Sequence, residues 1–143
     1  MRAVVDTNVL VSGLINPDGP PGKIVDWLRG GGLELVVDDR ILREYADVLR
    51  RPYFVRYFIP AERDEVLRYL ALNTHHVVCV VHAPDLPDPK DVPFYEAAST
   101  AGVPLVTGNK KHYPARAGTT VVVMTPADFV ARHAAPLGSP APH

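Results

Sequence analysis

The sequence has a single cysteine, Cys79, and a single tryptophan, and its apolar runs are short. One cysteine excludes an intrachain disulfide and any cysteine-based zinc cluster. Its place in the apolar run from Val77 to Val81 reads as a buried, inert thiol, which suits a reducing cytoplasm. No stretch approaches the roughly 20 apolar residues that cross a bilayer, so no membrane partner is expected. Met1 leads straight into a strand without a signal-like charged and apolar leader, which makes a cytoplasmic protein the expectation. An excess of either charge is also missing: 15 Lys and Arg stand against 16 Asp and Glu, for a formal charge of -1. Any nucleic-acid surface must therefore be a local patch and not a global field. Internal repeats, coiled-coil heptads and an interdomain linker are absent too.

What is present fits one globular domain. At 143 residues, 47% hydrophobic and 22% charged, the chain can bury a sizeable core. Short β-branched runs alternate with helical spacings. Ala3 to Val5, Leu33 to Val37, Val77 to Val81, Val103 to Val106 and Thr119 to Met124 read as strands. Between them lie helical patterns: Val9 to Leu14 with Thr7 or Asn8 as cap, Lys23 to Arg29, a helix capped by Asp38 and Asp39, Pro60 to Asn73, Pro93 to Ala101, and Pro126 to His133 capped by Thr125. The run 77–81 is continuous enough for a strand covered on both faces. Tyr53 to Ile59 is aromatic and reads as either a short helix or a loop. The tail from 134 to 143 is proline-rich and reads as disordered. This alternation predicts an α/β fold, a three-layer sandwich with a mostly parallel central sheet flanked by helices over residues 1–133.

In such a sheet the segments after each strand gather on one edge. Asp6, the Asp38 to Glu44 segment, the Asp85 to Asp91 loop and the loop from Thr107 to Tyr113 should meet there. Clustered carboxylates repel one another unless a cation shares them, and hard ions such as Mg²⁺ or Mn²⁺ favour oxygen ligands. Plainer readings stand beside this one: Asp6 and Asp91 as helix caps, and the acids as a solvated rim.

The set Asp6-Thr7-Asn8, Glu44, Asp91 before Phe94 to Ala98, and Thr107-Gly108-Asn109-Lys110-Lys111-His112 resembles the PIN-domain family, and most closely its toxin branch from toxin-antitoxin systems. The resemblance runs from Arg2 to about Arg132. It implies a Mg²⁺- or Mn²⁺-dependent ribonuclease, a homodimer, and an antitoxin protein that holds it inactive. Carried over, Asp6, Glu44 and Asp91 match three acidic metal-binding positions. Asn109 stands where many members have a fourth acid, so the site loses a charge. Asn8, Asp88 and Thr107 are auxiliary candidates, with Asp88 near enough to compensate for the amide. Lys110, Lys111 and His112 are candidates for holding RNA, as are Arg43 and Arg50. A haloacid-dehalogenase-type phosphatase is disfavoured, because it needs an aspartate where this chain has Asn8. A PIN-like module that only binds RNA or protein is the alternative that Asn109 favours. The aromatics Tyr53, Phe54, Tyr57 and Phe58 exceed what a short connector needs and suggest an interface.

Overall fold

A computed structural model describes residues 1–80, 82, 83, 85–114 and 121–134. Among these residues five strands form one sheet: β1 (Arg2–Val5), β2 (Glu34–Val37), β3 (His75–His76), β4 (Leu105–Val106) and β5 (Val123–Met124). Their order is β3-β2-β1-β4-β5, and every pairing is parallel. The core strands are apolar because both faces are covered: Ala3, Val4, Val5, Val36, Val37, Leu105 and Val106 are almost wholly buried. Burying each valine or leucine side chain among them contributes about 1.5–3 kcal/mol.

Six helices among the described residues flank the sheet: α1 (Thr7–Ile15), α2 (Pro20–Arg29), α3 (Asp39–Leu49), α4 (Pro60–Leu72), α5 (Val92–Ala101) and α6 (Pro126–His133). Helix α5 packs on β1, β2 and β4, while α1 packs on α2 and α2 on α6. Trp27 meets Phe129 edge-on at 6.1 Å across the α2 and α6 contact. The chain leaves β1 toward β2 and reaches β4 only later, so the order reverses between β1 and β4. That reversal is the crevice where parallel sheets place ligands.

Several boundaries differ from the sequence expectation for local reasons. Asp6, not Thr7 or Asn8, caps α1: its backbone is extended and its carboxylate accepts the Thr7 N–H. Helix α2 opens at Pro20, three residues early, since prolines in a first turn forfeit no helical hydrogen bond. The aromatic connector resolves into a 3₁₀ turn, Pro52–Arg56. Helix α4 ends at Leu72, which is 75% exposed and supplies no core contact. The largest correction concerns the run from Val77. Its ladder is only His75–His76, extended by a Val77 N–H to the Val37 carbonyl at 2.9 Å. Val78 and Val80 are 84% and 80% exposed. An edge strand leaves alternate side chains uncovered, which a fully covered strand would not. Cys79 is half-buried, with its thiol pKa raised chiefly by burial. Val81, the start of the expected last strand at 119 and 120, and the tail from 135 lie outside the described residues.

Candidate metal centre

Asp6 stands at the end of β1 beside the crevice, and it is 7% exposed. One oxygen accepts the Thr7 N–H at 2.8 Å; the other accepts the Thr107 hydroxyl at 2.9 Å and lies 3.4 Å from the Tyr113 hydroxyl. Thr107 follows β4 directly, so the two central strands meet through this contact. Burial pushes the Asp6 carboxyl up, outweighing the hydrogen bonds that favour its charge.

Glu44 projects from α3. The helix is fixed at its start by Asp38, whose carboxylate accepts the Ile41 N–H at 2.9 Å. The Thr7 hydroxyl donates to Glu44, and burial followed by repulsion from Asp6 raises its pKa. Asp91 ends the 3₁₀ turn Pro89–Asp91, ahead of α5. It is not a side-chain cap for that helix: no cap hydrogen bond involves its carboxylate, and its backbone is helical. Asp88 caps the short turn by accepting the Lys90 N–H at 2.9 Å. Asp91 is 7% exposed, and its pKa is raised by burial and then by the charge of Asp6. Its Oδ2 is buried and accepts no hydrogen bond. His112 Nδ1 lies 2.9 Å from that oxygen without the alignment a hydrogen bond needs.

Asp6, Glu44, Asp88 and Asp91 line one cleft of about 510 Å³ with Thr7, Asn8, Arg51, Phe54, Lys90 and His112. Asp6 and Asp91 are therefore not members of a solvated rim; they are buried acids from separate elements, turned toward shared space. Among the described residues, no lysine or arginine is within ion-pair distance of Asp6, Glu44 or Asp91. Several carboxylates beside one imidazole, a buried carboxylate oxygen that accepts no hydrogen bond, and mutual repulsion fit a divalent cation; donor atoms of Asp88, Asp91 and His112 lie within 4.8 Å of one another.

The other candidates fall nearby or aside. Thr107 is fully buried beneath Asp6 and orients it. Asn109 is half-buried outside the cleft lining, its N–H donated to the Thr107 hydroxyl at 3.1 Å. Lys110 and Lys111 are exposed on the 3₁₀ turn Lys110–His112, and Arg43 and Arg50 are exposed on and just after α3. Lys90 and Arg51 are the cations that line the cleft. Neither was a sequence candidate. The signal for Lys90 was its place between Asp88 and Asp91; Arg51 sits after the helix and offered none. The aromatic patch adjoins the site: Phe54 lines the cleft, and Tyr57 and Phe58 line an apolar groove of about 550 Å³ beside α1, α2 and α4. Tyr53 is 58% exposed, and the Arg56 guanidinium lies 4.9 Å from its ring centre.

A parallel α/β fold with an acidic cleft at its strand-order reversal is thus established by geometry. The profile of the PIN domain family matches residues 2–111, and the chain belongs to that family. An uncharacterized protein of Methanocaldococcus jannaschii is 28% identical over 120 residues, covering 77% of this chain and 72% of that one. The crystal structure of VapBC2 from Rickettsia felis, bound to a DNA fragment from their promoter, has a chain similar in fold. The TM-score is 0.53 at 12% identity, over 87% of this chain and 98% of that one. PIN domains are generally nucleases that use divalent metals, which agrees with the acids gathered here.

Proposed function

We propose that this protein is a Mg²⁺- or Mn²⁺-dependent endoribonuclease that hydrolyses RNA phosphodiester bonds as the toxin of a toxin-antitoxin pair. The observation that carries this reading is the convergence of Asp6, Glu44 and Asp91 from β1, α3 and the approach to α5 on one cleft, with Asp91 Oδ2 buried, accepting no hydrogen bond and facing His112. A divalent ion held there would lower the pKa of a water and screen the phosphate charge, so no nucleophilic Ser or Cys is required.

The chain's own residues divide the work. Asp6, Glu44 and Asp91 would hold the cation, with Asp88 and Asn8 beside them. Thr107 and Tyr113 fix Asp6, and the Thr7 hydroxyl fixes Glu44. Lys90 and Arg51 offer positive charge at the cleft for RNA phosphates. Lys110 and Lys111 extend that charge along the adjoining turn, and Asn109 completes the polar loop. The exposed aromatics next to the cleft suit an antitoxin or a twin subunit, and a homodimer is the expected assembly. A strictly monomeric species at high concentration in light scattering would remove the dimer.

No described helix is long and apolar enough to cross a membrane; a toxin that cleaves the cell's own RNA would act in the cytoplasm. The test is cleavage of RNA by purified protein, with and without Mg²⁺ or Mn²⁺. Cleavage that needs the ion and vanishes in Glu44→Gln is expected; ion-independent cleavage, or none with either ion, would refute the reading.

A further inference from the structure

The approach of His112 to Asp91 is too close for unrelated groups and is not a hydrogen bond. Nδ1 stands 2.9 Å from an oxygen that is buried and accepts no hydrogen bond, on a side chain nine-tenths buried. The spacing is that of an ion pair when the imidazole is protonated; it also matches neighbouring vertices of one octahedron, since two ligand atoms at right angles around an ion, each about 2.0–2.2 Å from it, lie about 2.8–3.1 Å apart. Asp88 offers a third atom: donor atoms of Asp88, Asp91 and His112 all lie within 4.8 Å of one another.

The turn that carries His112 is held at both ends. Asn109 donates its N–H to Thr107 before the turn, and Tyr113 after it is 4% exposed with its hydroxyl toward Asp6. We propose that His112 Nδ1 is a metal ligand which, with Asp91 and Asp88, makes a mixed nitrogen and oxygen position that selects a first-row transition ion over Mg²⁺. The proposal rests on the reading of the cleft as a cation site and names the ion class that site takes. An imidazole nitrogen is a good ligand for ions such as Co²⁺ and a poor one for Mg²⁺, which favours oxygen and retains its waters. His112 would thereby occupy the role that the amide of Asn109 leaves open, and it is not primarily a contact for RNA.

The experiment is calorimetric titration of the full chain with Co²⁺ and, separately, with Mg²⁺. The proteins compared are the parent, His112→Asn and His112→Gln, each first shown to be folded by its thermal melt. The parent should bind Co²⁺ more tightly than Mg²⁺. Both variants should lose about tenfold or more in Co²⁺ affinity, at least the loss seen when a ligand's supporting partner is removed. Mg²⁺ affinity should change by less than about threefold, so the preference collapses. Equal losses for both ions, or tighter binding of both once a competing imidazolium is removed, would overturn the proposal while leaving the cation site standing. A parent that binds neither ion would overturn the site itself.

Discussion

Replacing Asp6 by Asn separates what the carboxylate does for the fold from what it does for an ion. The hydrogen bonds can survive the exchange. The amide oxygen can keep the Thr7 N–H, and the amide nitrogen can donate to a rotated Thr107 hydroxyl where the acid now accepts at 2.9 Å. The exchange also removes a charge whose burial raises its own pKa and those of Glu44 and Asp91. Ion-free stability should therefore change by less than about 1 kcal/mol. An ion at about 100 times its dissociation constant stabilises the parent by about 2.7 kcal/mol, which for a chain of this size raises Tm by about 5–10 °C. The variant should show almost none of that rise, and no cleavage.

The sign of the pH dependence follows from the same shifts. A native carboxyl with raised pKa holds its proton more tightly than the unfolded one, so the native state binds more protons. Without an ion, the contribution of these three carboxyls to stability is greatest below the ordinary carboxyl range, near 3.8 for Asp and 4.5 for Glu, and is lost as pH rises through the raised native values, so it is read as the difference between parent and Asp6→Asn. Ion binding must displace those protons, so the ion-induced rise in Tm should grow across the same window. Melts of parent and Asp6→Asn from pH 4 to 8 at fixed ionic strength, with and without Mn²⁺, are the assay. A variant that keeps the ion-induced rise, or a parent whose ion-free stability relative to Asp6→Asn climbs with pH through that window, would refute the reasoning.

Alanine at both Lys90 and Arg51 should weaken RNA binding by cleavage-deficient Asp6→Asn protein and flatten its salt dependence by about 0.7 in slope for each phosphate no longer neutralised; an unchanged slope would place RNA elsewhere. Gly13→Ala should destabilise by about 2–3 kcal/mol in chemical denaturation, because an added Cβ would lie 2.3 Å from the Pro21 carbonyl and 2.6 Å from Val25 where α1 crosses α2. Asn109→Asp should lower the Mg²⁺ or Mn²⁺ concentration for half-maximal cleavage by restoring a negative charge near the cleft; an unchanged requirement would put that side chain outside the site's reach.

The parallel sheet and the convergence of acids were legible because both follow from alternation: a strand with both faces covered must be apolar, and its end must carry the polar residues. Asp6 and the loop with Asp88 and Asp91 were placed by that rule, Glu44 was singled out by the resemblance to PIN domains, and all four line one cleft. The run from Val77 misled because composition reports hydrophobicity and not coverage. Whether Val78 faces a helix or solvent depends on its strand lying at the sheet edge, which is a property of strand order. Lys90, Arg51 and the approach of His112 to Asp91 were hidden for a related reason. Each depends on the direction in which a short turn aims a side chain, and spacing along the sequence does not encode that direction.

The three acids come from elements far apart in the chain, and residues beside each acid set their separation. Tyr45 follows Glu44 and is fully buried; its hydroxyl donates to the carbonyl of Val5, the residue before Asp6, at 2.5 Å. Its ring packs 6.3 Å from Phe94, three residues after Asp91. One side chain thus ties β1, α3 and α5 together directly beneath the cleft. A second tie runs along the flank: Arg40 of α3 bridges Asp38 at 2.7 Å and Glu96 of α5 at 2.9 Å. Repulsion among ionised Asp6, Glu44 and Asp91 would push these elements apart. Because an apolar contact and a buried hydrogen bond oppose it from below, the acids stay on one cleft instead of relaxing toward solvent. The core beneath the cleft therefore sets the geometry that the acids alone would not keep.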